Sequence, residues 1–143
     1  MFFEKKGGTM RFSHIGYVVC DSDATAVAVK PFFPVVVRYK EYVAAQKVFI
    51  TLLATTEGNS QIELVEPLEN NLPLRELLAK SGKSSLPYHI CFEVEDFDEQ
   101  LKTMKATGWI VLTRPFNAFD VNHRSSHLYH PDAGVIEIMS GPL

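Results

Sequence analysis

A short block near the start of the chain returns in its second half. His14-Ile15-Gly16-Tyr17-Val18-Val19-Cys20-Asp21-Ser22-Asp23 is answered 75 positions on by His89-Ile90-Cys91-Phe92-Glu93-Val94-Glu95-Asp96-Phe97-Asp98, with His, Ile, an aromatic, Val and two Asp in register. Further along, Gln61-Ile62-Glu63-Leu64-Val65 is answered by Val135-Ile136-Glu137-Ile138-Met139, 74 positions on. Two blocks in the same order at nearly one offset mark an internal duplication, and a duplication confines the fold to two copies of one small module.

Each copy reads the same way. In the first, 12–20 alternates as a strand, with His14, Gly16 and Val18 on one face and Ile15, Tyr17 and Val19 on the other. Asp21 and Asp23 are candidate caps for a helix over 24–30, which Pro31 and Pro34 stop. Runs at 35–39, 48–54 and 61–65 are apolar or β-branched, divided by polar stretches and Gly58, as in a meander of strands. In the second copy 87–94 is the matching strand. Asp96 caps a helix carrying Phe97, Leu101 and Met104 at i, i+4, i+7, and Gly108 ends it. Strands follow at 109–113, 126–129 and 134–139, the last two joined by a turn at His130-Pro131-Asp132-Ala133-Gly134. The expected fold is α+β: two βαβββ modules, 10–66 and 87–141, forming a curved sheet cleft within a single domain over 10–143. Residues 67–86 are a connector with a short amphipathic piece at 74–78. Residues 1–9 carry no pattern and form an extension, with Met10 an alternative start.

Composition closes off several function classes. The 143 residues are 46% hydrophobic and 22% charged, within the range of ordinary globular domains. Fourteen basic against 17 acidic residues leave a net charge of −3, so the clustered cations of a nucleic-acid protein are missing. The longest apolar runs are strand length, well under the ~20 residues of a membrane helix. The chain opens without the pattern of an export signal. Cys20 and Cys91 form neither a disulfide framework nor a tandem metal-binding pair. A soluble, cytoplasmic domain with no nucleic-acid or membrane partner is expected.

The residues that recur are the ones with chemistry. His14 and His89, Glu63 and Glu137 all sit in strands at repeat-related positions. Two imidazoles and two carboxylates converging in a cleft suit one divalent first-row ion, with Zn, Ni, Co, Mn and Mg all compatible. The carboxylates also offset the ion's charge, which eases its burial. Gln61, on the face of Glu63, and Glu93, on the face of His89, could orient a ligand or replace one. His123 and Arg124 could meet an acidic group of a substrate. His130, ahead of Pro131, reads as structural, Cys91 as a small residue lining the site, and Trp109 as core.

These blocks carry a resemblance. His14-Ile15-Gly16, Gln61-Ile62-Glu63-Leu64-Val65-Glu66-Pro67-Leu68, the connector with Leu72-Pro73-Leu74, Leu77-Leu78 and Gly82, Tyr88-His89-Ile90-Cys91-Phe92-Glu93-Val94, His130-Pro131 and Gly134-Val135-Ile136-Glu137-Ile138 resemble the vicinal-oxygen-chelate superfamily, which includes glyoxalase I. Within it the connector resembles that of the methylmalonyl-CoA epimerases. The likeness runs over 10–141. It implies His14, Glu63, His89 and Glu137 as metal ligands, Glu137 as the catalytic base, a homodimer, and a small acyl or acyl-CoA substrate whose carbonyl the ion holds. The activity implied is that of a metal-dependent epimerase, isomerase or lyase. The alternative is a metal-free binding protein of the bleomycin-resistance type, which the full ligand set disfavours. An oxygen-using dioxygenase, with two His and one Glu, is disfavoured by Glu63. One departure bears on the reaction. Ala45 stands where the epimerase pattern carries its second acid/base Glu, with Glu41 and Tyr42 the nearby groups that could replace it, and a one-base proton shift tolerates this alanine better.

Overall fold

The computed structural model describes residues 10–31, 35–55, 61–117 and 123–141, with the backbone alone for 35–39. These residues form two compact units, His14–Tyr88 and residues 89–141 together with 10–13. Among them are three α-helices and nine strands.

The first unit opens on β1 (Met10–Val19), most of which lies in it, and continues with α1 (Ser22–Val29), β2 (Val35–Val43), β3 (Val48–Thr55) and β4 (Gln61–Pro67). The strands lie in the order β2-β3-β4-β1. β4 runs parallel to β1, with Gly16 opposite Glu63, and antiparallel to β3, with Leu52 opposite Glu63. Asp21 caps α1 as the pattern predicts, accepting from the Ala24 amide at 3.1 Å, and the helix stops at Val29, ahead of Pro31. Ala26 and Val29 pack against a buried cluster of Val19, Leu53 and Leu64.

The connector is more ordered than its sequence suggests. Residues Leu72–Ser81 form a ten-residue helix, α2, twice the length of the predicted 74–78 piece. Asn71 caps it through a 3.2 Å bond from the Leu74 amide, and its amide group also donates to the carbonyls of Gln46 and Lys47 at 3.1 and 3.3 Å. Pro73 falls in the first turn, where its missing N–H costs nothing. Gly82 ends the helix at φ +66°, a backbone that a side chain would strain.

The second unit repeats the plan with β5 (Ser85–Val94), α3 (Phe97–Ala106), β6 (Ile110–Val111), β7 (Phe116–Asn117), β8 (Arg124–His130) and β9 (Gly134–Ser140). Its order is β5-β9-β8-β6, with β7 also on β8. Here β9 is parallel to β5, with Cys91 opposite Glu137, and antiparallel to β8, with His127 opposite Glu137. The pairings of Glu63 therefore recur at Glu137. Asp96 caps α3, accepting from the Glu99 amide at 3.1 Å. Phe97, Leu101 and Met104 are buried with Val94, Leu128 and Ile138, and Trp109 packs against this cluster as expected of a core residue.

The predicted strand at 109–113 is cut to Ile110–Val111. The amides of Leu112 and Thr113 both donate to the His127 carbonyl, at 2.8 and 3.3 Å, so two residues face one and the ladder bulges. Pro115 then lacks a donor, and pairing resumes only at Phe116. No helix among the described residues is long and apolar enough to cross a membrane.

Candidate metal centre

Each unit buries one imidazole beside one carboxylate. In the first, β1 and β4 run parallel, so His14 and Glu63 come from neighbouring strands, and the residue across from Glu63 is a buried glycine, Gly16. With no side chain intervening there, His14 Nε2 lies 3.3 Å from Glu63 Oε2. In the second, the residue across from Glu137 is another small one, Cys91, and His89 Nε2 lies 3.2 Å from Glu137 Oε1. The four are 0%, 4%, 4% and 3% exposed for His14, Glu63, His89 and Glu137.

Two carboxylates in an apolar interior need a compensating positive charge. A divalent cation supplies it and takes imidazole nitrogen and carboxylate oxygen as donors. His14, Glu63, His89 and Glu137 are residues that could hold a metal ion.

The remaining site candidates are placed as follows. Gln61 opens β4, half-buried, two residues before Glu63. Glu93 is engaged by Arg11, whose guanidinium lies 2.6 Å from its carboxylate. Arg124 meets Asp98 through two bonds of 3.2 and 3.1 Å and lies over the Phe97 ring at 4.6 Å. His123 is half-buried just ahead of β8. His130 has the structural role expected of it, accepting from the Asp132 amide at 3.1 Å and packing on Trp109. Ala45 lies exposed in a 3₁₀ turn, Ala44–Gln46, between β2 and β3, and Glu41 and Tyr42 are exposed on β2.

One neighbour of the site escaped the sequence reading. His127 Nε2 stands 3.8 Å from Glu137 Oε2, and its ring meets His89 edge-on at 5.1 Å. The signal was available: counting three rungs back from the His130–Gly134 turn on each strand lands on His127 and Glu137.

Paired βαβββ units with a His and a Glu buried in each define a glyoxalase-type protein. The glyoxalase/bleomycin resistance protein/dioxygenase superfamily model matches residues 13–125, and the chain belongs to that superfamily. Solved structures similar to the chain include methylmalonyl-CoA epimerases. The Mycobacterium tuberculosis epimerase is 20% identical with a TM-score of 0.77, covering 93% of this chain and 88% of its own. A variant of the Streptomyces coelicolor epimerase, in complex with 2-nitronate-propionyl-CoA, is 26% identical with a TM-score of 0.76 and coverage of 93% and 98%. A methylmalonyl-CoA epimerase in complex with methylmalonyl-CoA and NH4+ is also 26% identical, at TM-score 0.76 and coverage of 92% and 94%. No curated protein sequence matches the chain.

Proposed function

We propose that the protein is a divalent-metal-dependent epimerase or isomerase that moves a proton at the carbon next to the carbonyl of a small acyl substrate, an acyl-CoA being the first class to test. The observation that carries this reading is the recurrence of one buried His–Glu pair in each repeat. The bound ion would supply Lewis-acid polarisation of the carbonyl.

The protein's own residues have separable tasks in this reading. His14, Glu63 and His89 hold the ion, and their burial excludes competing water. Glu137 both contributes an oxygen to the ion and takes the proton from the adjacent carbon. It then returns the proton, to the same carbon or to the neighbouring one. Ala45 bears no ionisable group, so the reading assigns one base. Return of the proton to the face it left gives exchange with retention or a shift to the neighbouring carbon, and inversion at the same carbon would need a second acid/base such as Glu41 or Tyr42. With this reading go a homodimer, as the family resemblance implies, and the cytoplasmic location expected from the sequence.

The test uses methylmalonyl-CoA in deuterated buffer with Co²⁺ or Ni²⁺ added. Deuterium uptake at the carbon next to the thioester, dependent on metal and lost in Glu137→Gln, is the expected result. Uptake no faster than in protein-free buffer, over a range of acyl thioesters and ketones, would refute the proposal.

A further inference from the structure

The duplication places a small residue across from each buried carboxylate on the parallel side, Gly16 and Cys91, but differs in polarity on the antiparallel side. Glu63 faces Leu52 across β3 and β4, whereas Glu137 faces His127 across β8 and β9. Leu52 and His127 are 75 positions apart, so they are the same position of the repeat. One carboxylate is backed by a buried aliphatic side chain and the other by an imidazole.

That imidazole is held on several sides. The Thr113 hydroxyl accepts from the His127 amide at 2.8 Å and lies 3.1 Å from the ring's Nδ1. The Phe116 ring stacks on it, 5.7 Å between centroids and 13° between planes, and His89 meets it edge-on. The Ser126 hydroxyl donates to the Thr113 carbonyl at 2.8 Å, fixing the segment between β6 and β7 that carries Thr113. The side chain is only 13% exposed. Its Nε2 faces Glu137 Oε2 at 3.8 Å, and its Nδ1 pairs with the Thr113 hydroxyl.

We infer that His127 is a positioning residue for Glu137. It attracts Oε2 from 3.8 Å while Oε1 stays turned to His89 at 3.2 Å. The two oxygens thereby face different partners, Oε1 His89 and Oε2 His127, and Thr113 holds the imidazole in place. Leu52 can do nothing of the kind for Glu63. Residues that orient ligands typically change metal affinity about 10–100-fold when lost. The inference rests on the metal reading above, and its test separates the two.

Chelator-stripped wild type, His127→Leu, His127→Gln and Thr113→Val are titrated with Co²⁺ by calorimetry, and the visible absorption of bound Co²⁺ is recorded. Leucine reproduces at 127 what the other repeat carries at 52. His127→Leu is expected to weaken Co²⁺ binding about 10–100-fold and to alter the cobalt bands. His127→Gln, whose amide nitrogen reaches roughly where Nε2 stands, is expected to stay within about threefold of wild type. Thr113→Val, which frees the ring without removing it, falls between. Wild-type affinity and spectrum in His127→Leu would overturn the inference and leave the metal reading standing. Equal losses in the leucine and glutamine variants would also overturn it, because a purely structural role predicts that. A wild-type protein that takes up no Co²⁺ would overturn both.

Discussion

If one ion is held by His14, Glu63, His89 and Glu137 together, removing a ligand from either repeat removes the whole stabilising effect of metal. The perturbation is His14→Leu or His89→Leu, which leaves bulk in place of two rings only 0% and 4% exposed. Each variant is melted with and without metal, so that any change in packing cancels between the two melts. A ligand at a hundred times its Kd adds about 2.7 kcal/mol to the folded state. Unfolding 143 residues carries an entropy of about 0.3 kcal/mol/K, so metal is expected to raise wild-type Tm by about 9 °C, and by about 4–5 °C for each further tenfold. A variant binding a hundredfold more weakly keeps about 0.4 kcal/mol at the same metal concentration, or about 1–2 °C. Differential scanning fluorimetry with Co²⁺ or Zn²⁺ reads the shifts, and calorimetry reads the stoichiometry. One ion per chain is expected. Two ions per chain, or a shift of several degrees surviving in each variant, would show that each His–Glu pair binds by itself, and the reasoning would fail.

The two carboxylates are expected to differ. Glu63→Gln keeps an amide oxygen to offer the ion and should retain measurable metal binding and deuterium exchange, whereas Glu137→Gln should lower exchange by about 100-fold or more, since a positioned base contributes about that much. Leu128→Ala empties a side chain that is fully buried in the core of the second unit, and chemical denaturation should show a loss of about 2–5 kcal/mol. Asn71→Ala removes the cap of α2 and the bonds from its amide group to Gln46 and Lys47, and should cost about 2 kcal/mol in the same assay. Arg124→Ala breaks a partly exposed pair with Asp98, so stability should fall by no more than about 1 kcal/mol. A raised KM in that variant, with metal affinity unchanged, would place Arg124 on the substrate's path.

Much of the fold was legible because the duplicated pattern survives in the first and last strands of each repeat, the strands that pair in parallel and carry the buried His and Glu. The caps at Asp21 and Asp96 were legible too, since an aspartate ahead of a helix acts through local chemistry alone. Features that depend on partners distant in sequence were not. Pro73 suggested a linker, yet Asn71 reaches back to the carbonyls of Gln46 and Lys47 and sets the helix start from outside the helix. The 109–113 run has the composition of one strand. Its pairing is broken by two amides competing for the carbonyl of His127 and by Pro115, neither of which shows in a hydrophobic pattern.

His127 escaped for a different reason. A search for repeats finds what the two halves share, and His127 is what they do not share. On the proposed reading the shared residues would account for binding, because an ion is indifferent to which half supplies a given nitrogen or oxygen. Directed proton transfer asks more: one carboxylate must hold while the other moves a proton, and two copies of one module do not by themselves distinguish them. In this chain the distinction falls at the rung opposite the carboxylate, apolar Leu52 beside Glu63 and polar His127 beside Glu137. On the proposed reading the duplication would supply the symmetric part of the chemistry, and the difference between Leu52 and His127 would mark Glu137 as the base.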